Sequence, residues 1–123
     1  MNYMRMVEIC IERMSRVNIN NPQYTLTEIL EDVCNAMGEP VEKVTSNDRH
    51  KEYTICRQIY SYVSRIYTRE TLCNIQKVVG YGDHTTVVSN VKKLRGYLRV
   101  GDPAFREKWD MYIDNSKIYK NLL

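Results

Sequence analysis

The chain has 123 residues, 43% of them apolar, enough for one domain with a single core and too few for several. Mean hydropathy is −0.50, no apolar run approaches the roughly 18 residues a membrane span needs, and charges at Arg5, Glu8, Glu12 and Arg13 deny the N-terminus the apolar centre of a signal peptide. A soluble cytoplasmic protein is therefore expected, with a net charge of only +3.

In the first segment Tyr3, Met6, Val7, Cys10, Met14 and Val17 recur at three- and four-residue intervals, which predicts an amphipathic helix with one apolar stripe. Asn18 to Gln23 (NINNPQ) breaks the pattern with turn residues and a proline, and marks a boundary. Thr25 and Glu28 then form a T-x-x-E capping box. Leu26, Ile29, Leu30, Val33 and Met37 come next as the buried face of a second helix that Gly38 ends. Pro40, Val41 and Val44 suggest one helical turn, and TSNDRHKE a polar, basic loop.

A third long helix is predicted from about Tyr53 to Tyr67, with Ile55, Ile59, Tyr62, Val63 and Ile66 inward. Thr71 can cap a short helix carrying Leu72, Ile75 and Val79, stopped by Gly80. Asp83 is a good N-cap for the next helix, which buries Val87, Val91, Leu94 and Leu98. Asp102 and Pro103 then open a last helix with Phe105, Trp109, Tyr112 and Ile113 on one face. No segment reads as a strand, so the fold class is all-α with about six helices.

Charge is unevenly spread along these elements. Residues 1–48 hold 4 Lys/Arg against 8 Asp/Glu, residues 49–99 hold 10 against 3, and residues 100–123 hold 4 against 4. A basic middle between acidic and neutral ends suits a polyanion partner, although a solvated basic face without a partner would look the same. The four cysteines, Cys10, Cys34, Cys56 and Cys73, lack the close pairing of zinc ligands. They read as small buried hydrophobes in a reducing compartment.

The stretch GYGDHTTV, Gly80 to Val87, decides between chemistry and a contact surface. A short helix ending at Gly80, a three-residue turn and a helix starting at Asp83 make a helix-turn-helix, whose second helix can offer its first turn to the major groove. Thr85 and Thr86 bring hydroxyls for base edges or phosphate and methyls for thymine, and His84 brings a ring nitrogen. Lys92, Lys93, Arg95 and Arg99 can reach the flanking backbone. Catalysis fits less well: Asp83 and His84 are neighbours in sequence, which do not face each other on a helix. The chain has no P-loop and no H-E-x-x-H. We expect no enzyme, no catalytic residue, no cofactor and no metal; a buried structural histidine at position 84 is the main competing reading.

The run GYGDHTTVVSNVKKL resembles the C-terminal DNA-binding domain of the bacterial replication initiator DnaA, whose signature contains G-G-R-D-H-T-T-V. The similarity extends back through TLTEILEDVCNAMGEPVEKVTS and CRQIYSYVSRIY, from roughly Thr25 to Leu98. It implies a helical bundle with a Trp-repressor-like helix-turn-helix and duplex DNA as ligand. Asp83, His84, Thr85 and Thr86 would then lie in the major groove, Lys93 on the backbone, and Arg57 and Gln58 on the family's R-P-R-Q stretch. Lys92, Arg49 and Lys51 complete the expected DNA-contacting set.

Two departures stand out: Ile55-Cys56 replaces Arg-Pro, and Gly82 replaces the arginine before D-H-T-T. Each removes a cationic contact and puts the family's own target sequence in doubt. No P-loop precedes the match, so this chain by itself is not expected to be an ATP-driven initiator.

The expected organisation is an N-terminal helix and linker (1–22), a DNA-binding domain (23–99) and a C-terminal helical extension (100–123). The expected function is sequence-specific binding of double-stranded DNA in replication initiation or its regulation, in a phage or mobile element. The alternative is a DnaA-like module that has lost DNA and binds protein, or pairs with a second copy, through its N- or C-terminal helix.

Overall fold

The computed structural model describes residues 24–80 and 82–118; the expected N-terminal helix and Cys10 lie outside them. All regular structure among the described residues is helical, in six helices. The capping box forms: the Glu28 amide donates to Thr25 Oγ1 at 3.2 Å, and the Thr25 amide to Glu28 Oε1 at 2.9 Å. It opens α1 (Leu26–Met37), which Gly38 closes at φ +70°. A single turn, α2 (Val41–Val44), leads to α3 (Lys51–Tyr67). Then come α4 (Leu72–Val79), α5 (His84–Val100) and α6 (Pro103–Asn115).

The centre of the molecule is α3, which packs against α1, α2, α4 and α5. Every residue from Ile55 to Ser64 is buried. A helix enclosed on all sides should be apolar throughout, yet α3 carries Arg57, Gln58, Tyr60, Ser61 and Ser64. Most of these polar groups hold neighbouring elements. Tyr60 donates its hydroxyl to the Ile75 carbonyl of α4 at 2.7 Å, and Asn90 Nδ2 of α5 donates to Ser61 Oγ at 3.3 Å. Burial at the core pushes the Tyr60 hydroxyl above its ordinary range.

Helix α6 is part of the same core. Asp102 caps it, accepting from the Ala104 amide at 3.0 Å, with Pro103 in the first turn. Phe105, Trp109 and Tyr112 are buried, and the Trp109 ring meets Tyr62 edge-on at 6.0 Å. A buried carboxylate, Asp32 of α1, fastens the segment just beyond α6: it accepts from Ser116 Oγ at 2.5 Å and from the amides of Lys117 (2.9 Å) and Ile118 (3.4 Å). The aromatic face of this helix, which the protein-binding alternative would use, is packed internally, since Trp109 has no exposed surface.

Cys34 and Cys56 are buried free thiols, and desolvation pushes them up to about 11 and about 12. Cys73, expected inside, is exposed on α4. No helix among the described residues is long and apolar enough to cross a membrane.

Candidate nucleic-acid interface

Four local devices build the turn before α5. Thr71 opens α4 by accepting the Asn74 amide at 3.1 Å, and Ile75, Gln76 and Val79 point into the core. Gly80, at φ +98°, ends the helix, where a Cβ would lie 3.4 Å from the Thr45 carbonyl oxygen. The turn therefore rests on the end of α2. Gly82 sits at φ +82°, and a Cβ there would come within 2.9 Å of Thr86 Oγ1 and 3.1 Å of Gln76 Nε2. Only glycine allows both this backbone and this approach. Asp83 then caps α5: its Oδ1 accepts the Thr85 amide at 3.0 Å and also the Thr85 hydroxyl. Those two bonds hold the Asp83 carboxyl below the ordinary carboxylate range.

The first turn of α5 is consequently graded. His84 and Thr85 are exposed, so a buried structural role for His84 is set aside. The hydroxyl proton of Thr85 is engaged by Asp83, which leaves its methyl as the uncommitted group. Thr86 is half-buried, its hydroxyl turned toward Gly82. Behind them Val87 is fully buried, and Leu94 and Leu98 continue the anchor. On the outer side Lys92 and Lys93 are exposed, as are Arg95 and Arg99 further along. Together His84, Thr85, Val88, Ser89, Lys92 and Lys93 line a shallow concavity of about 500 Å³. Sequence reasoning passed over Ser89, although it falls one turn beyond Thr85 and so shares its face.

Two of the expected DNA contacts are not at the surface. Arg57 is buried, and its guanidinium is spent on main-chain carbonyls. Nε donates to Val44 at 2.8 Å, and Nη2 to Lys43 at 3.1 Å and Ser46 at 2.9 Å. These are the carbonyls left over where α2 ends. Gln58 is buried beside it, and its Oε1 has no hydrogen-bond partner among the described residues. Both residues are corrected from DNA contacts to interior ones. Ile55 is buried too, as its spacing predicted.

Arg49 and Lys51 are exposed at the start of α3. Between them His50 takes the N-cap position, its Nδ1 bonded to Asp48 Oδ1, and this bond raises the His50 pKa and lowers that of Asp48. Arg49 and Lys51 share a cleft of about 340 Å³ with Tyr97 and Phe105. Tyr97 stands roughly 20 Å along α5 from His84, at 1.5 Å per residue. Exposed cations thus lie near the start of α5 (Lys92, Lys93) and toward its far end (Arg49, Lys51), with Arg65, Arg69 and Lys77 exposed outside both groups.

Comparison with known proteins bears on this geometry. The family described as "Bacterial dnaA protein helix-turn-helix" matches residues 26–94. The chromosomal replication initiator protein DnaA of Bacteroides thetaiotaomicron is 32% identical over 82 residues, which are 67% of this chain and 17% of that protein. The same-named protein of Thermus thermophilus is 35% identical over 68 residues, 55% of this chain and 16% of its own length. That of Streptococcus thermophilus is 29% identical over 100 residues, 78% of this chain and 22% of its own. The chain therefore spans about a fifth of the length of these relatives. No solved structure matches it.

Proposed function

Because this chain belongs to the bacterial DnaA helix-turn-helix family, we propose that it binds double-stranded DNA sequence-specifically, in replication initiation or its regulation. The start of α5 enters the major groove. His84 and Thr85 face base edges, Asp83 and the two turn glycines fix the entry angle, and Lys92 and Lys93 meet phosphates. The observation that carries this reading is the exposure of His84 and Thr85 on a first turn that is capped from behind and anchored by a fully buried Val87.

The second cationic group supports the same reading. Half a turn of B-DNA is roughly 17 Å, comparable with the roughly 20 Å of α5 between His84 and Tyr97 of that cleft. With α5 in one major groove, Arg49 and Lys51 come to the backbone bordering the adjacent minor groove. The bounds 23–99 for the DNA-contacting unit are part of this proposal, with α6 as the brace that completes its core. Of the two helices the protein-binding alternative could use, the C-terminal one has its Trp109 face buried, and the N-terminal one lies outside the described residues.

Titration of the chain against a pool of random duplexes, with recovery of the retarded fraction, tests the proposal. Enrichment of one short sequence is expected. Retention without any enriched sequence, or no retention at physiological salt, would refute sequence-specific binding.

A further inference from the structure

Val88 belongs to none of the roles assigned so far. It follows the fully buried Val87 but is turned about 100° away from it around α5, with 38% of its surface exposed. Its position is one turn beyond Thr85 and one turn before Lys92, so the three side chains share a face. The concavity they line with His84, Ser89 and Lys93 presents mostly apolar atoms, despite the polar residue types around it. Two features make it so. The Thr85 hydroxyl is turned back onto Asp83, which leaves a methyl on the outer side, and Val88 supplies two more methyls one turn later. A single exposed valine on a helix needs no explanation. A valine and a threonine methyl side by side, flanked by two lysines on the base-facing side of a helix-turn-helix, form an apolar slot at the depth of the major-groove base edges.

The only apolar group that DNA offers at that depth is the 5-methyl of thymine. We propose that Val88 is a specificity-determining residue that packs with the Thr85 methyl against a thymine 5-methyl in the target. This inference rests on α5 being the groove-bound helix. Uracil differs from thymine by that methyl alone, so it isolates the contact without disturbing a hydrogen bond.

The test begins with the sequence recovered by selection on the full chain. Each thymine in it is replaced in turn by uracil, and binding is measured for the native chain and for Val88→Ala. At one thymine, the native chain is expected to lose about fourfold in affinity on removal of the methyl, the worth of one buried methyl-sized group. Val88→Ala should bring that ratio close to one there and leave the ratios at other thymines unchanged. Because the side chain is exposed, thermal unfolding of the variant should match the native chain. Unchanged ratios in Val88→Ala at every thymine, or a selected site without thymine, would overturn the assignment while leaving selective DNA binding intact. Failure of the native chain to select any sequence would overturn the DNA reading, and the Val88 assignment with it.

Discussion

Arg57 gives its guanidinium to the main-chain carbonyls of Lys43, Val44 and Ser46, and it does so from inside the molecule. Its truncation removes charge-assisted bonds and leaves buried acceptors unpaired. Arg57→Ala should therefore cost about 3 kcal/mol in urea unfolding. If Arg57 were instead a phosphate contact, the variant would keep its stability and lose salt-dependent affinity. Nothing local in C-R-Q-I-Y distinguishes these fates, because the carbonyls lie 11 to 14 residues away in sequence. Arginine in a basic segment reads as surface until the fold brings α2 to it. By contrast Asp83, Thr71 and Asp102 were legible as caps, since the amides they serve are two or three residues on.

Thr85→Ala should cost about 1–3 kcal/mol in binding and relax sequence preference, whereas Lys93→Ala should weaken all duplexes alike and flatten the salt response. Competition titrations with selected and scrambled duplexes separate the two. Thr86→Ala, expected from sequence to behave like Thr85→Ala, acts here through the turn, because its hydroxyl packs toward Gly82. His50 provides a pH signature. Its hydrogen bond to Asp48 raises its folded pKa. The resulting small stabilisation is fully present below the ordinary histidine range, and is lost as pH rises through the raised value. Proton NMR should place the His50 midpoint above the ordinary range, and Asp48→Asn should return it. An unshifted midpoint in the native chain would remove the contact.

Among the elements, the turn between α4 and α5 is the most tightly determined. Gly80 rests against the end of α2, and Gly82 leaves room for Thr86 and Gln76. Arg57 holds the same α2 segment through the carbonyls of Lys43, Val44 and Ser46, on either side of Thr45. The family signature carries an arginine where this chain has Gly82, and restoring it should not restore a contact. Gly82→Arg must adopt φ +82° with a Cβ pressed on Thr86. It should lose about 1–2 kcal/mol of stability and gain no selectivity, as read by chemical denaturation and by the competition titration. Normal stability with sharper selectivity would show that the turn can relax. Helix starts and stops in this region arise from side chains that act within one turn. The packing of α6 on α1 does not: its aromatic face was visible as periodic, but its partner surface was not.

At the scale of the whole molecule, the basic stretch from residue 49 to 99 exposes Lys92 and Lys93 near the start of α5 and Arg49 and Lys51 toward its far end, with Arg65, Arg69 and Lys77 exposed elsewhere. Only the exposed members can release counterions from DNA, so Arg57 does not count among them. The apparent association constant should fall by roughly 0.9 log unit per phosphate contact for each decade of salt, and a flat response would exclude backbone binding. The departures at Ile55 and Gly82 bear on the target. Ile55 is buried and uncharged, and it cannot replace the arginine that the resemblance puts there. Binding to the standard initiator box should therefore exceed binding to random duplex only slightly.

In the proposed complex the start of α5 lies in the groove with Arg49 and Lys51 on the neighbouring backbone. Amide chemical-shift mapping of the full chain on addition of the selected duplex tests it most directly. The largest changes are expected at residues 83–89, 92–93 and 49–51, with little change on α6. Large changes on α6 together with silent amides at 83–89 would contradict it.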